Sequence, residues 1–308
     1  MKSILLLKPR LSYQLWGGDN LKKFNVELDD ANDVSSAWLI SGYKDRSSVI
    51  LNGEFKNQTL YDVFMSHRDL FDNYQDDKYP LLVKFVDINW KMPIQVHPTD
   101  EYAKAHCHEF GGREKVFYVL KAAPGAVVVL GHTAKTKEEL IKQVKEEKWE
   151  QLLIRKNVKE GDLIYIPAGC LHGLTEGLVM YELQYSSDPL YKLFNYNREL
   201  FDEAYKLDIE EALANITVPY VEPQYKESSD VLIETDKFKL VKVVNSGSKK
   251  YSFPDARWVQ ATVINGGGTL NQTIELKTSV SFVVPSNVTE FEIEGNVTLL
   301  FSYVPKKK

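Results

Sequence analysis

Hydrophobic and polar residues follow one another in short runs along most of the chain, at the length and spacing of β-strands. The runs at 81–97, 115–130 and 153–184 are rich in Val, Ile, Leu, Tyr and Phe, which suit a pleated and buried surface. Residues 290–295 alternate strictly between polar and apolar side chains, as a strand with one buried face does. The pattern therefore predicts a protein built mainly of β-sheet.

Three segments interrupt the strands with the apolar spacing of helices, at about 59–73, 136–150 and 198–215. Apolar residues three and four positions apart form a stripe along one face of a helix. The second segment begins with Thr136 and Glu139, the arrangement of a helix capping box. The expected fold class is all-β with helical insertions.

A second β-rich region follows a plausible domain boundary. An extended polar stretch at 217–227 contains Pro219 and Pro223, and prolines in a polar segment are typical of linkers. We therefore predict two β-barrel halves, residues 1–220 with the helical insertions and residues 221–308. The second half contains no histidine, so imidazole chemistry is expected only in the first.

Within the second half, one pattern predicts a hairpin. Val259–Ile264 and Thr269–Leu276 are strand-like, and Asn265–Gly268 between them contains three consecutive glycines. Glycine and asparagine are the residues that turns favour. Two strands joined by a turn are therefore expected here.

The first half contains a candidate metal site. Residues 161–172 have the spacing Gly-x5-Pro-x-Gly-x2-His, which predicts a strand, a turn and a second strand that begins at His172. Upstream, Gln95 and His97 are two positions apart, so on a strand they share one face. Two imidazoles and an amide oxygen suit a borderline divalent metal such as zinc.

The spacing in 161–172 is similar to the second metal-ligand motif of cupin barrels. Together with other short matches in the same order, it resembles the class I mannose-6-phosphate isomerases, in the short form common in Gram-positive bacteria. The match runs over nearly the whole chain, and it includes Leu15–Gly18, Ser36–Trp38, Pro80–Lys84, Gln95–Ala103, Gly131–His132, Ile166–Gly169, Glu182–Gln184, Ser186–Asp188 and Tyr196–Arg198. The resemblance implies a double cupin whose N-terminal half carries the metal-type site.

In that family, the metal is held by the Gln and His of the first motif, a downstream Glu and the His of the second motif. The resemblance implies one Zn²⁺ per chain, if the site is intact, on Gln95, His97, Glu114 and His172. An ungapped match, however, puts Lys115 at the position of the Glu. Because a one-residue slip turns a strand side chain to the opposite face, Glu114 reaches the metal only through a bulge. The alternative hypothesis is that the Lys115 ammonium takes the place of the metal.

The resemblance also implies the activity, which is interconversion of mannose 6-phosphate and fructose 6-phosphate through an enediol. Arg198 matches the family's catalytic arginine, and Lys84 and Arg113 complete a cationic pocket suited to a phosphate. The family pattern is not followed at several positions near the site, namely Leu39, Pro93, Lys115, Asn195 and Asn197. Two alternatives therefore stay open: a cupin that binds a sugar or sugar phosphate without turnover, and an enzyme that uses the Lys115 amine directly.

Composition narrows the partners. The chain has 308 residues and a formal net charge of −5 at pH 7, which argues against nucleic-acid binding as its main task. No run approaches the roughly 18 apolar residues of a membrane span. Two cysteines cannot build a disulfide framework. We expect a cytoplasmic monomer or homodimer that acts on a small-molecule sugar phosphate.

The remaining histidines have structural or solvated roles by default. His67 lies in the first predicted helix and His132 follows a strand, so both are expected to be structural. His106 and His108 flank Cys107 on a predicted polar loop, where a solvated pair is the commoner outcome.

Overall fold

A computed structural model describes residues 4–29, 33–109, 111–198 and 206–306. These residues form mainly β-sheet with short helices, so the predicted fold class is confirmed. The strands found in these ranges are β1 Leu5–Lys8, β2 Arg10–Gly18, β3 Val34–Ile40, β4 Val49–Ile50, β5 Leu81–Ile88, β6 Ile94–Val96, β7 Lys115–Ala122, β8 Val127–His132, β9 Leu153–Asn157, β10 Leu163–Ile166, β11 His172–Leu174, β12 Leu178–Tyr185, β13 Tyr191–Phe194, β14 Val231–Glu234, β15 Lys239–Asn245, β16 Ser248–Tyr251, β17 Val259–Leu270, β18 Ile274–Lys277, β19 Ser281–Val284 and β20 Phe291–Tyr303.

The helices in the described residues are short. The α-helices are α1 Leu60–Ser66, α2 Asp100–His106, α3 Lys137–Lys145, α4 Trp149–Leu152 and α5 Ile209–Asn215, and two 3₁₀ turns cover Asn20–Phe24 and Arg68–Phe71. None of these helices is long and apolar enough to cross a membrane.

The helical insertions fall where the apolar spacing predicted them, in shorter pieces. The segment 59–73 forms α1 and a 3₁₀ turn, and 136–150 forms α3 and α4. The side chain of Thr136 accepts a hydrogen bond from the Glu139 N–H, which is the capping contact that the sequence indicated. In the third segment, α5 forms, whereas residues 199–205 lie outside the described ranges.

One helix was not predicted. Residues 100–106 form α2, although the polar composition here indicated a loop. Thr99 caps this helix by accepting from the Tyr102 N–H, and Asp100 and Glu101 lie in its first turn. Capping and the helix dipole therefore favour a helix at a place where apolar periodicity is weak.

Contacts group the chain into two compact units. The first contains the chain up to Tyr13, Asp19–Phe85 and the chain from Tyr225 onward, and the second contains Gln14–Gly18 and Val86–Gln224. The division differs from the predicted halves because most of the N-terminal part joins the C-terminal strands. The reason is strand pairing: β1 is hydrogen-bonded to β19 on one side and to β4 on the other.

The first unit is organised around a nine-stranded sheet in the order β14-β15-β20-β17-β19-β1-β4, with β16 beside β20 and β18 beside β17. An aromatic cluster of Phe64, Phe71, Tyr79 and Trp258 is buried in this unit. The Tyr79 hydroxyl accepts hydrogen bonds from Trp258 Nε1 at 2.8 Å and from Gln260 Nε2 at 3.0 Å. The cluster therefore satisfies its buried polar atoms internally.

The turn predicted at Asn265–Gly268 is wrong, because β17 continues through these residues to Leu270. A bulge lies between Val263 and Asn265 in the pairing with β20. A Cβ atom on Gly268 would lie 1.9 Å from the Glu294 carbonyl oxygen. The glycines here allow two backbones to approach closely rather than reverse the chain.

The second unit contains two antiparallel sheets. In one, β7 lies between β10 and β12, and the other has the order β13-β6-β11-β8-β9. A buried cluster unites apolar side chains of both sheets: Phe117, Val119, Val128, Leu130, Ile164, Ile166, Leu174, Leu178 and Met180. We call this cluster the inner core of the second unit.

A second cluster covers the other face of the five-stranded sheet. It includes Ile94 and Val96 from β6, Leu140 and Val144 from α3, and Ala212 from α5. Because successive strand residues point to opposite faces, the residue between Ile94 and Val96 faces the inner core.

Candidate active site

The candidate site lies at one end of the inner core, where four strands turn polar side chains inward. On β6 the inward residue is Gln95, and on β11 His172 is two positions before the inner-core residue Leu174. On β7 Lys115 has the same parity as Phe117, and on β12 Glu182 has the same parity as Met180 and Leu178. Strand parity therefore directs all four side chains to one interior.

Three of the predicted ligand residues come together in this interior. Gln95 and His172 are paired opposite each other in the β6–β11 ladder, and the Gln95 amide nitrogen lies 3.4 Å from His172 Nε2. The rings of His97 and His172 have centroids 5.0 Å apart. All three side chains are buried, with exposed fractions of 5% or less.

Backbone carbonyls fix the tautomer of both imidazoles. His172 Nδ1 lies 2.9 Å from the Cys170 oxygen, and His97 Nδ1 lies 3.3 Å from the Pro189 oxygen. Because a carbonyl oxygen only accepts, each Nδ1 carries the proton and each Nε2 has a lone pair. The Gln95 amide donates to the lone pair of His172. The Nε2 atom of His97 is buried without a hydrogen-bond partner in the described part of the chain.

Both imidazoles are held neutral by their surroundings. Burial lowers the pKa of His97 well below its usual value, and the positive charges of Arg113 and Lys115 lower it further. Burial also lowers the pKa of His172 well below its usual value, with Lys115 as the next cause. Desolvation and nearby cations both disfavour an imidazolium, so the lone pairs stay available at neutral pH.

Lys115 is buried beside these imidazoles, with 4% of its surface exposed. Its Nζ lies 3.5 Å from Glu182 Oε1 and 4.9 Å from the centre of the Phe117 ring. Glu182, 5% exposed, comes from the neighbouring strand β12. A buried charge needs a partner, and the two side chains form a buried ion pair.

Glu114 lies on the other side of β7. Its Oε2 accepts a hydrogen bond from the Tyr165 hydroxyl at 3.0 Å. The β7–β10 ladder keeps one register from Lys115 to Tyr118, so no bulge turns Glu114 inward beside Lys115. The structure thus does not bring Glu114, the predicted fourth ligand, together with the two imidazoles.

Arg113 holds the segment that orients His97. Its guanidinium donates to the carbonyl oxygens of Ser187 and Asp188, immediately before Pro189. The Pro189 oxygen in turn receives the His97 Nδ1 proton. Arg113 therefore acts on the site through this segment and through its charge.

Arg198 and Lys84 have other surroundings. The Arg198 guanidinium donates to the Lys91 oxygen at 2.7 Å and lies 4.8 Å from the Trp90 ring centre. Lys84 belongs to the first unit, where its Nζ lies 5.0 Å from the ring centre of Trp38. The catalytic roles predicted for Arg198 and Lys84 remain predictions.

His67, His106 and His132 have contacts outside the candidate site. His132 donates from Nε2 to the Thr217 oxygen at 3.0 Å, His67 packs against Phe55, and His106 lies 4.4 Å from the Tyr102 ring. Among the described residues, no group of three or more His, Cys, Asp or Glu side chains is arranged to hold a metal ion.

Sequence reasoning missed Glu182 as a member of the site. The available signal was a single carboxylate within β12, where the neighbouring residues from Leu178 to Gln184 are all buried. A carboxylate in such a strand needs a cationic partner. The partner, however, follows only from the pairing of β7 with β12.

Comparison with known proteins identifies the family. The profile of the type I phosphomannose isomerase catalytic domain matches residues 4–117. A Bacillus subtilis protein named "Probable mannose-6-phosphate isomerase" is 32% identical over 97% of this chain and 98% of its own length. A mannose-6-phosphate isomerase of Streptococcus mutans is 31% identical over 98% of this chain and 99% of its own length.

The chain belongs to the type I phosphomannose isomerase family. The crystal structure of the mannose 6-phosphate isomerase from Bacillus subtilis superposes with a TM-score of 0.90, at 29% identity over 98% of this chain and 99% of that one. This likeness confirms the cupin fold that the motifs predicted.

Enzymes of this family generally depend on a metal ion, and the donors of this chain fit such an ion poorly. Gln95, His97 and His172 are in place, but the position of the fourth ligand holds the Lys115 ammonium. An ammonium has no lone pair to give, and its positive charge opposes a divalent cation nearby. The family's four-ligand arrangement is therefore incomplete in this chain.

Proposed function

We propose that the protein is an aldose–ketose isomerase that interconverts mannose 6-phosphate and fructose 6-phosphate through an enediol. The observation that supports this most is a match along nearly the full length of isomerases, combined with the buried cluster of Gln95, His97 and His172. A sugar phosphate is thus the proposed small-molecule partner. The cytoplasmic location and the monomeric or homodimeric state remain predictions.

The reaction needs a base that moves a proton between C2 and C1 of the open-chain sugar. His97 is the proposed base, because its Nε2 atom is buried without a hydrogen-bond partner among the described residues and burial keeps the ring neutral by lowering its pKa. It accepts the proton from C2 and returns it to C1, while the hydroxyl proton on O2 passes to the neighbouring O1. The imidazole is regenerated when both transfers are complete. The carbonyl of Pro189 stabilises the imidazolium formed in between.

The reaction also needs positive charge near the sugar oxygens, where negative charge develops in the enediolate. Lys115 is the proposed donor to these oxygens, and Arg198 keeps the enediolate-stabilising role that the family match gives it. Lys84 and Arg113 are proposed to orient the phosphate. Pro93 replaces the family's serine and removes one hydroxyl donor from that anchor.

The zinc ion that the sequence implies would rest on Gln95, His97 and His172, with water in place of a carboxylate. A bound zinc ion would supply Lewis-acid polarisation of the sugar oxygens. Because the fourth protein position holds Lys115, the steps proposed above do not use a metal.

The test is a coupled assay of fructose 6-phosphate formation from mannose 6-phosphate by purified protein. We expect turnover, and we expect His97→Gln to lower kcat by about 10²–10⁴-fold, the usual contribution of a general base. The matched control is His67→Gln, which changes a histidine of the first unit and is expected to leave kcat unchanged.

Two results would contradict this proposal. Equal kcat values for His97→Gln and wild type would remove His97 as the base. Folded protein that binds mannose 6-phosphate in calorimetry but shows no turnover would instead favour the sugar-phosphate-binding cupin.

A further inference from the structure

We propose that the Lys115–Glu182 ion pair takes the place of the family's metal ion, so that the site works with an ammonium instead of a divalent cation. The inference rests on the proposed function only for the identity of the sugar oxygens that the ammonium contacts. The prediction that the site does not bind a metal follows from the positions of the side chains alone.

Lys115 occupies the position of the family's metal-binding carboxylate. It shares the inward parity of Phe117 on β7, and its Nζ lies 4.9 Å from the centre of the Phe117 ring. The ammonium therefore lies in the same interior as Gln95, His97 and His172. Glu114, the nearest carboxylate in sequence, points to Tyr165 instead.

Lys115 and Glu182 neutralise each other's charge inside the pocket. The carboxylate of Glu182 lies 3.5 Å from the Lys115 ammonium, and both side chains are about 95% buried. The pair is neutral as a whole, so the pocket already has its compensating anion. A divalent ion would add two positive charges beside Lys115, and no cluster of three acidic, histidine or cysteine ligands in the described residues is available to offset them.

Gln95 and His172, two of the predicted metal ligands, are hydrogen-bonded to each other. The Gln95 amide nitrogen faces His172 Nε2 at 3.4 Å, and the tautomer set by the Cys170 carbonyl makes this a hydrogen bond from Gln95 to the ring. A metal on His172 would have to displace that bond. Of these three residues, only His97 has a buried side-chain atom, Nε2, without a hydrogen-bond partner in the described chain.

The ammonium suits the proposed chemistry. It carries three N–H donors, enough to hold Glu182 and to donate to a carbonyl or enediolate oxygen of the sugar at the same time. The ammonium holds O1 and O2 while the hydroxyl proton of O2 passes to O1, and His97 carries the carbon-bound proton from C2 to C1. Each proton that is removed is returned to the sugar, so the isomerisation needs no oxidant, reductant or metal.

The test measures metal directly. Native protein purified without chelator or histidine tag is subjected to elemental analysis and titrated with Zn²⁺ by calorimetry, and its turnover is measured with and without EDTA. We expect metal far below one ion per chain, no tight Zn²⁺ binding and the same turnover in EDTA.

The decisive variant is Lys115→Glu, which restores the family's carboxylate. We expect its Zn²⁺ affinity to exceed that of wild type by more than about 100-fold, above the usual effect of changes outside the ligand set. The matched control is Lys121→Glu, because Lys121 is an exposed lysine on the same strand and its change is expected to leave Zn²⁺ binding as in wild type.

A further variant separates folding from metal binding. Lys115→Met keeps an unbranched apolar side chain of similar length and removes the charge. We expect it to stay folded by circular dichroism, to bind no Zn²⁺ and to lose turnover. If Lys115→Glu does not fold without metal, refolding in Zn²⁺ supplies the same affinity comparison.

The inference is overturned if native wild-type protein holds about one zinc per chain, or if EDTA abolishes its turnover. It is also overturned if Lys115→Glu and Lys121→Glu bind Zn²⁺ equally. Failure of the proposed function looks different: wild type without metal and without isomerase activity, but with Zn²⁺ binding gained in Lys115→Glu, would leave the cation replacement intact in a pocket of another use.

Discussion

His132 in the second unit makes the stability of the fold depend on pH. Its side chain is 3% exposed and donates from Nε2 to the Thr217 oxygen, while its Nδ1 is buried without a partner in the described residues. Burial lowers the pKa of His132 below its usual value. The unfolded chain therefore binds a proton at a higher pH than the folded chain does, and acid favours unfolding.

We predict that the free energy of unfolding falls as pH decreases below about 6.5, the unperturbed histidine value. The loss continues until the lowered folded-state pKa is reached. In His132→Gln the dependence should be weaker by up to about 1.4 kcal/mol per pH unit, the limit for one titrating group. Urea unfolding at a series of pH values measures this, and equal slopes for both proteins would refute it.

Residue-level prediction from sequence works where the geometry is local. The spacing of Gln95 and His97, and the turn before His172, placed three side chains together because strand parity depends only on neighbouring residues. The partner of Lys115 was out of reach, since Glu182 lies on β12 and meets β7 only through sheet register. Sequence patterns near Lys115 do not contain that register.

Among the strands, β17 shows how a local signal competes with a tertiary one. Three glycines after an asparagine are typical of a turn, yet they lie inside a strand that pairs with β20 along its length. Gly268 has no space for a side chain, because the Glu294 oxygen would lie 1.9 Å from its Cβ. The glycines allow β17 and β20 to approach closely, and this contact cannot be recognised from a short stretch of sequence.

We predict that Gly268→Ala destabilises the first unit by about 1–3 kcal/mol, the usual cost of overpacking. Backbone must shift, since the obstructing atom is a carbonyl oxygen. The control is Gly267→Ala, whose Cβ would meet the Leu276 oxygen only at 3.0 Å and should cost less. The midpoints of chemical unfolding compare the two, and a larger loss in Gly267→Ala would contradict the argument.

At the scale of the whole chain, the first unit is assembled from distant parts of the sequence. β1 pairs with β19, with Leu5 opposite Val283. The fold class and the helical insertions were predictable because they follow from local periodicity. The division into two units was not predictable, because it depends on the pairing of β1 with the distant strand β19.

We predict that a fragment ending at Gln224 does not form the first unit. Without β19, β1 loses one of its two neighbours and becomes an open edge that is paired only with β4. Amide hydrogen exchange in β3 and α1 is expected to be fast in the fragment and slow in the intact chain. Equal protection in both would instead support residues 1–220 as an independent barrel.

The aromatic cluster of the first unit also provides an optical signal. Trp258 is 2% exposed and donates its indole N–H to Tyr79, so its emission originates in a dry, rigid setting. Trp90, in the second unit, is 53% exposed and already emits from water. A chain that retains Trp258 as its single tryptophan would therefore shift its fluorescence to the red only when the first unit opens, whatever happens in the second.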